Sequence, residues 1–228
     1  MRLRLLSWNI RKAVGLDWRR DPARVWRVIE GLSPDVVFLQ EADKRLGQRP
    51  AALPPSLVRA AGYAPIDADP DTPSIGWHGN ALLVRRPFDL LEMHRVALPG
   101  LEPRGALRAR VRLHGREVAL VSAHLGLRRR DRKPQMTAIA DAVSGEGCPV
   151  LVAGDLNEFS RDPRHLPVPA GWTVTAPGAS FHADMPRLAL DRFVTGPGVR
   201  LHDARVIPPR QARRASDHLP ISATAELG

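Results

Sequence analysis

Residues 150–159 read VLVAGDLNEF. Val150 to Ala153 form a short continuous apolar run, the pattern of a strand buried on both faces, and the run stops at Gly154. Asp155 and Asn157 then stand two positions apart at its end. Asp and Asn are favoured turn formers, which is one use for them here. A buried strand is also a rigid stem that projects whatever sits at its tip. The rest of the chain decides between these uses.

Outward from this stretch, similar short strands recur. Residues 2–9, DVVFLQE (35–41), GNALLVRRP (79–87), GALRARVRL (105–113), REVALVSAHL (116–125), LALDRFVTG (188–196) and SDHLPISATAEL (216–227) all carry strand character. His114 and Gly115 predict a hairpin. Leu107, Ala109, Val111 and Leu113 alternate with Arg108, Arg110 and Arg112, so one face is buried and the arginine stripe is expected to be a solvated surface. Asp21 followed by Pro22 starts a helix in which Val25, Trp26, Ile29 and Leu32 repeat until Ser33 and Pro34 stop it. A second helix is expected from Lys133 to Val143. Residues 44–76 read as a long irregular excursion and 160–187 as Pro- and Gly-rich loops. No repeat, low-complexity tract or linker breaks the pattern, so residues 1–228 are expected to form one domain of mixed strands with peripheral helices.

With 228 residues, 43% of them hydrophobic, the chain has ample material for a core. The formal charge of +10 and pI of about 11.2 suit a polyanionic partner. Only Lys12, Lys44 and Lys133 are lysines, the rest of the basic residues being arginines, a bias that GC-rich coding also produces. Cys148 is alone, which excludes an intramolecular disulfide or a thiolate metal cluster. The N-terminus alternates like a strand and lacks the apolar core of a signal peptide, and no stretch approaches the ~18 apolar residues of a membrane span. The expectation is a cytoplasmic monomer with no stable membrane association and no implied protein partner.

Asn9, Glu41, Asn80, His124, Asp155, Asn157, Asp191, Asp217 and His218 all fall at strand ends or starts, where side chains can converge on one rim of a sheet assembly. Each alone has a structural use as a cap, a loop brace or a buried hydrogen-bonded group. Together they supply a complete chemistry. Carboxylates and amides without cysteine suit a hard cation, Mg²⁺ or Mn²⁺, and two histidines suit proton transfer around it. This is equipment for metal-assisted hydrolysis of a phosphate ester.

SWNI (7–10), LQE (39–41), GNALLVRRP (79–87), RGAL (104–107), SAHL (122–125), GDLN (154–157), LDRFV (190–194) and SDHLP (216–220) together resemble the endonuclease/exonuclease/phosphatase superfamily, in its order and over almost the whole chain. The resemblance implies a deoxyribonuclease I-like α/β fold: a four-layer α/β sandwich, two packed mixed β-sheets flanked by helices, with the site at one end. It implies Glu41 as the principal metal ligand, helped by Asn9 and Asp217. His218 either abstracts a proton from the attacking water or stabilises the pentacovalent oxygens, and Asp191 fixes its ring. Asp155 and Asn157 position the nucleophile or a second metal, and His124 faces the leaving oxygen. Asn80 joins the substrate-binding set. Arg104 either contacts phosphate or is a surface arginine at a strand start.

Two departures place the chain within that family. The acid that AP endonucleases carry two residues after the first asparagine is Arg11 here, and their tyrosine is His124; both changes resemble the deoxyribonuclease I side. The glutamate that pairs with the equivalent histidine there is missing near Gly79, so Asn80 or His78 is left to orient His124. Arg128, Arg129 and Arg130, with Arg132 and Lys133, follow His124, and Arg210, Arg213 and Arg214 precede Asp217, as a basic rim that would bind backbone phosphates. Trp18, Trp77 and Trp172 lie in loops where they either stack on bases or cover the core. The preferred substrate is nucleic acid, DNA above all, and the alternative is a phospholipid or inositol phosphate.

Overall fold

The computed structural model describes residues 1–43, 48–66, 73–160, 162, 165–212 and 214–228. Arg213 and parts of the 44–76 excursion lie outside these. In chain order the elements are β1 (Arg2–Asn9), a single turn (Arg11–Ala13), α1 (Pro22–Leu32), β2 (Val36–Gln40), α2 (Pro55–Ala60), β3 (Tyr63–Pro65), β4 (Ala81–Arg85), β5 (Asp89–Leu98), β6 (Arg104–Leu113), β7 (Arg116–His124), α3 (Arg129–Ala142), β8 (Val150–Asp155), β9 (Thr173–Thr175), β10 (Asp191–Thr195), β11 (Val199–Val206), α4 (Pro209–Ala212) and β12 (Ile221–Leu227).

They build two six-stranded sheets, ordered β11-β12-β1-β2-β4-β3 and β5-β6-β7-β8-β10-β9. Each is mixed, with one parallel pair: β1 beside β2 in the first sheet and β7 beside β8 in the second. A parallel pair needs a crossover, which α1 supplies in one sheet and α3 in the other. Leu5, Phe38 and Leu82 of the first sheet pack between the sheets against Leu107, Leu120 and Phe193 of the second. A separate apolar layer joins Val25, Trp26 and Ile29 of α1 to Trp8 and Val37, and another joins Met136 and Ile139 of α3 to Val121 and Val152. The result is the expected helix, sheet, sheet, helix layering.

α1 begins as its sequence dictates. The Asp21 carboxylate accepts from the Arg24 N–H at 2.9 Å, with Pro22 in the first turn. α3 starts at Arg129, four residues before the expected Lys133, and has no side-chain cap. The 44–76 segment is less irregular than expected, since α2 and β3 lie within it. β5, β9 and β11 are further strands beyond those expected. The two-residue hairpin at His114 and Gly115 forms, both residues having positive φ (49° and 78°) as a type I′ turn requires.

The arginine stripe of β6 is not simply solvated. Arg108 keeps 11% of its side-chain surface and pairs with Glu92 at 3.1 Å and with Glu146, whereas Arg112, at the outer end, stays exposed and pairs with Glu117 at 2.7 Å. Glu92 of β5 and Glu117 of β7, with Glu146 from the turn after α3, form this ladder, each exposed rung being worth only about 0.2–1 kcal/mol.

Candidate active site

Strand register assembles the centre. β7 and β8 run parallel with His124 directly beside Asp155, and β10 runs antiparallel to β8 with Asp191 opposite Asp155. From the facing sheet, Asn9 at the end of β1 donates its amide to Asp155 Oδ2 at 3.0 Å. That same oxygen lies 3.2 Å from His124 Nε2 and 3.6 Å from His218 Nε2. Asp155 Oδ1 accepts from the Asn157 N–H at 3.1 Å, and the Asn157 amide donates to the Leu125 carbonyl at 2.9 Å. Asp155 therefore serves both uses: Oδ1 closes a turn with the Asn157 N–H, and Oδ2 is a buried hub between the sheets.

His218 Nδ1 meets Asp191 Oδ2 at 2.9 Å, and the Ser180 hydroxyl donates to that oxygen at 2.5 Å. The His218 backbone is fixed as well, its N–H donating to Ser216 Oγ and its carbonyl accepting from the Trp8 indole. Burial pushes the Asp155 carboxyl up to about 6, partly offset by the charge of His218. Burial alone would depress His218, but the charges of Asp191 and Asp155 outweigh it and raise the imidazole to about 10. At neutral pH the pair is thus carboxylate and imidazolium.

Glu41 sits where β2 ends. β1 and β2 pair through Asn9 and Gln40, and Ile10 and Lys12 donate their N–H groups to the Gln40 and Glu41 carbonyls. The Glu41 carboxylate is paired with the Lys12 ammonium, and Asp217 lies 3.5 Å from the Arg11 guanidinium. Arg11, Lys12 and Ala13 form a left-handed turn with φ of 46°, 57° and 58°, and Glu41 and Asn157 are also left-handed at 51° and 50°. Such backbone costs about 1–3 kcal/mol per residue and gathers at sites that surrounding structure holds in place.

The donors available are carboxylate, amide and imidazole atoms, a set suited to a hard cation. Asp155, Asp191 and His218 each bring one ligand atom within 4.8 Å of the others, a spacing a metal ion would accept, and Asp191 Oδ1 is buried without a hydrogen-bond partner. The expected ligands Asn9, Glu41 and Asp217 are not this tight cluster. Asn9 is already turned to Asp155, while Glu41 and Asp217 each face a basic side chain.

The remaining expected residues are braces or rim. Asn80 is buried and donates to the Gly105 carbonyl at 2.7 Å, tying β4 to the other sheet, while the carboxylate beside His124 is Asp155. Arg104 is buried and chelated by Glu102 at 2.7 and 3.1 Å. Arg128, Arg129 and Arg130 are exposed, and the latter two line a cavity of about 610 Å³ with Lys133, His165 and Pro167. Arg132 does not belong to that rim. It is buried against Glu158 at 3.2 Å, and Arg192, also buried, donates to the Glu158 and Ser160 carbonyls, so this group clamps the loop that leaves Asp155 and Asn157. Trp77 and Trp172 pack on the core, whereas Trp18 is exposed.

Sequence reasoning missed Lys12, Ser180, Glu158 and Arg192. A lysine kept at position 12 of a chain whose basic residues are nearly all arginine was the available signal for the first. The others had none.

A sequence profile of the Endonuclease/Exonuclease/phosphatase family matches residues 6–218. The chain is 36% identical over 164 residues to the "Uncharacterized protein YbhP" of Escherichia coli (strain K12), a match covering 67% of this chain and 64% of the relative's own length. Among solved structures, the endonuclease/exonuclease/phosphatase from Beutenbergia cavernae DSM 12333 matches with a TM-score of 0.77 at 24% identity, over 100% of this chain and 72% of that one. D. rerio TDP2 complexed with single strand DNA product matches with a TM-score of 0.73 at 21% identity, over 99% of each chain. At these identities the structural likenesses speak for the fold.

Proposed function

The chain belongs to the endonuclease/exonuclease/phosphatase family, and from that premise we propose that it is a divalent-metal-dependent phosphodiesterase that hydrolyses DNA. One observation carries the chemistry: a single buried carboxylate, Asp155, draws an asparagine and two histidines from both sheets to one oxygen. Its pKa of about 6 leaves it ionised at neutral pH yet basic enough to take a proton from the attacking water. His218, held as imidazolium, is suited to offset the charge that develops on the phosphoryl oxygens rather than to act as the base. His124 gives a proton to the departing oxygen as the P–O bond breaks, and Asn157 holds the loop that aims Asp155. Glu41, with Asn9 and Asp217, would hold the metal ion, which when bound polarises a phosphoryl oxygen.

DNA is favoured by the charge of +10 and by exposed Arg128, Arg129 and Arg130 beside the strand that ends in His124. A second reading, phospholipid hydrolysis, is favoured by one feature. Leu101, Leu127, Phe159 and Met185 are exposed, and all four lie in loops that adjoin Arg104, His124, Asn157 and Asp191. The deciding experiment offers plasmid DNA, single-stranded DNA, RNA, sphingomyelin and inositol phosphates in parallel, with Mg²⁺ or Mn²⁺. Metal-dependent DNA cleavage abolished by EDTA and by Asp155→Ala is the expected result. Cleavage indifferent to both would refute the proposal, and turnover of lipid alone would transfer it to the second reading.

A further inference from the structure

We infer that Trp18, stacked on Arg11, is a platform for a nucleobase next to the phosphodiester that is cut. The inference rests on the DNA reading and assigns a binding role to a loop outside the catalytic cluster. Trp18 is 78% exposed, although the other four tryptophans are buried or packed on the core. An isolated exposed apolar residue is ordinary on a protein surface. This one is held out by construction.

The Trp18 N–H donates to the Gly15 carbonyl and the Gly15 N–H to the Arg19 carbonyl, both at 3.0 Å. The Arg19 N–H donates to Asp17 Oδ1 at 3.1 Å, and Arg24 grips both Asp17 Oδ2 at 2.9 Å and the Arg214 carbonyl at 2.7 Å. Gly15 is pressed so close to that carbonyl that a Cβ would lie 2.1 Å from it, which fixes the loop against the segment leading to Asp217. Trp18 itself adopts φ of 61°, a conformation unfavourable for a bulky residue, and no burial of its ring compensates.

The placement gives this exposure a use. The Arg11 guanidinium carbon lies 4.4 Å from the centre of the Trp18 ring, and Arg11 Nε lies 3.5 Å from Asp217 Oδ2. The ring is therefore one guanidinium away from a carboxylate of the site. Arg11 occupies one face of the indole, and the two residues that follow Trp18 in the chain, Arg19 and Arg20, are both exposed. Aromatic surface interleaved with cations is the arrangement that binds single-stranded nucleic acid, the ring stacking on any base and the cations pairing with phosphates. A phospholipid headgroup or an inositol phosphate has no π face to offer.

The test uses the full chain and a short single-stranded oligodeoxynucleotide. In EDTA, binding should quench wild-type tryptophan fluorescence, and Trp18→Phe should remove that change. With Mg²⁺, Trp18→Ala and Trp18→Leu should raise KM for cleavage roughly 10- to 100-fold with kcat little changed, while Trp18→Phe keeps part of the affinity. Leucine preserves apolar area without a π face, so it separates stacking from simple burial. A set of oligonucleotides, each with one abasic residue, should contain one position at which wild type loses affinity and Trp18→Ala loses no more. Wild-type cleavage with an unchanged KM in Trp18→Ala would overturn the inference and leave the DNA reading standing. So would a penalty that persists at every abasic position, or a variant that loses binding to anionic vesicles and not to the oligonucleotide. Absence of nucleic-acid cleavage by wild type overturns both.

Discussion

The two sheets furnish unlike carboxylates to the candidate site. Asp155 and Asp191, from the second sheet, are 2% and 0% exposed, and their partners are the His124 and His218 imidazoles, the Asn9 amide, the Asn157 N–H and the Ser180 hydroxyl. Glu41 and Asp217, at the ends of the first sheet, keep 18% and 24% of their side-chain surface, and each faces a flexible cation, Lys12 or Arg11. Burial divides one residue type between two jobs. On the proposed reading, the buried acids form a fixed proton network, and the half-open acids can exchange a protein cation for a metal ion.

The contrast breaks most visibly in activity. Asp155→Ala should lower phosphodiester hydrolysis about 1,000-fold or more at any Mg²⁺ concentration, since base and hub are lost together. Glu41→Gln should cost about 10- to 100-fold at low Mg²⁺ and recover as the metal is raised. Equal recovery of both variants in a metal titration would erase the distinction.

The pH dependence of kcat/KM sharpens it. Activity should fall about tenfold per pH unit below about 6, where buried Asp155 takes up a proton, and the limb should disappear from the residual activity of Asp155→Asn. Stability of the metal-free protein should move with His218. Its folded pKa of about 10 exceeds the ordinary 6.5, so the stabilisation is fully present below pH 6.5 and is lost as pH rises through about 10. Urea denaturation across that window should show the decline, and Asp191→Asn should flatten it.

Smaller effects follow from the half-open side. Lys12→Met should lower the Mg²⁺ concentration for half-maximal activity a few-fold, because the metal no longer displaces an ammonium from Glu41. Least of all, the crossover helices differ in their starts. Asp21→Ala should cost about 1 kcal/mol in chemical denaturation, and Arg128→Ala, at an uncapped start, less than about 0.5 kcal/mol.

The legible part of the fold was its interior. Strands such as Val36–Gln40 and Val150–Asp155 are buried along their whole length and read as apolar runs. β3, β5, β9 and β11, which the sequence did not announce, are the edge strands of the two sheets. An edge strand packs against one neighbour and takes polar residues that blunt further pairing, so its alternation fades, as in β5, where Leu98 and Val96 alone are well buried. α3 hid its start for a related reason. An arginine run supplies neither a cap nor an apolar stripe, and Pro134 lies inside the helix, one residue after the expected start at Lys133.

The cluster that the structure brings together was legible where residue type and strand-end position coincided, as for Asn9, His124, Asp155, Asp191 and His218. Its pairings were not. Asp155 as the carboxylate beside His124 follows from the register of two parallel strands, which no local pattern encodes. Lys12 and Trp18 lie on left-handed backbone in the loop after β1, whose shape depends on Asp17, Arg24 and the distant Arg214.

The bond from Asn9 to Asp155 spans 146 positions and links the tips of separate sheets. On the proposed function, catalytic competence is therefore a gauge of how firmly the halves of the sandwich are seated. A slip of one sheet against the other by little more than the width of an atom would part the amide from the carboxylate while every strand kept its own ladder. On heating, turnover should fade ahead of the far-ultraviolet signal, and substitutions of Phe38 or Phe193, remote from any substrate, should widen that interval.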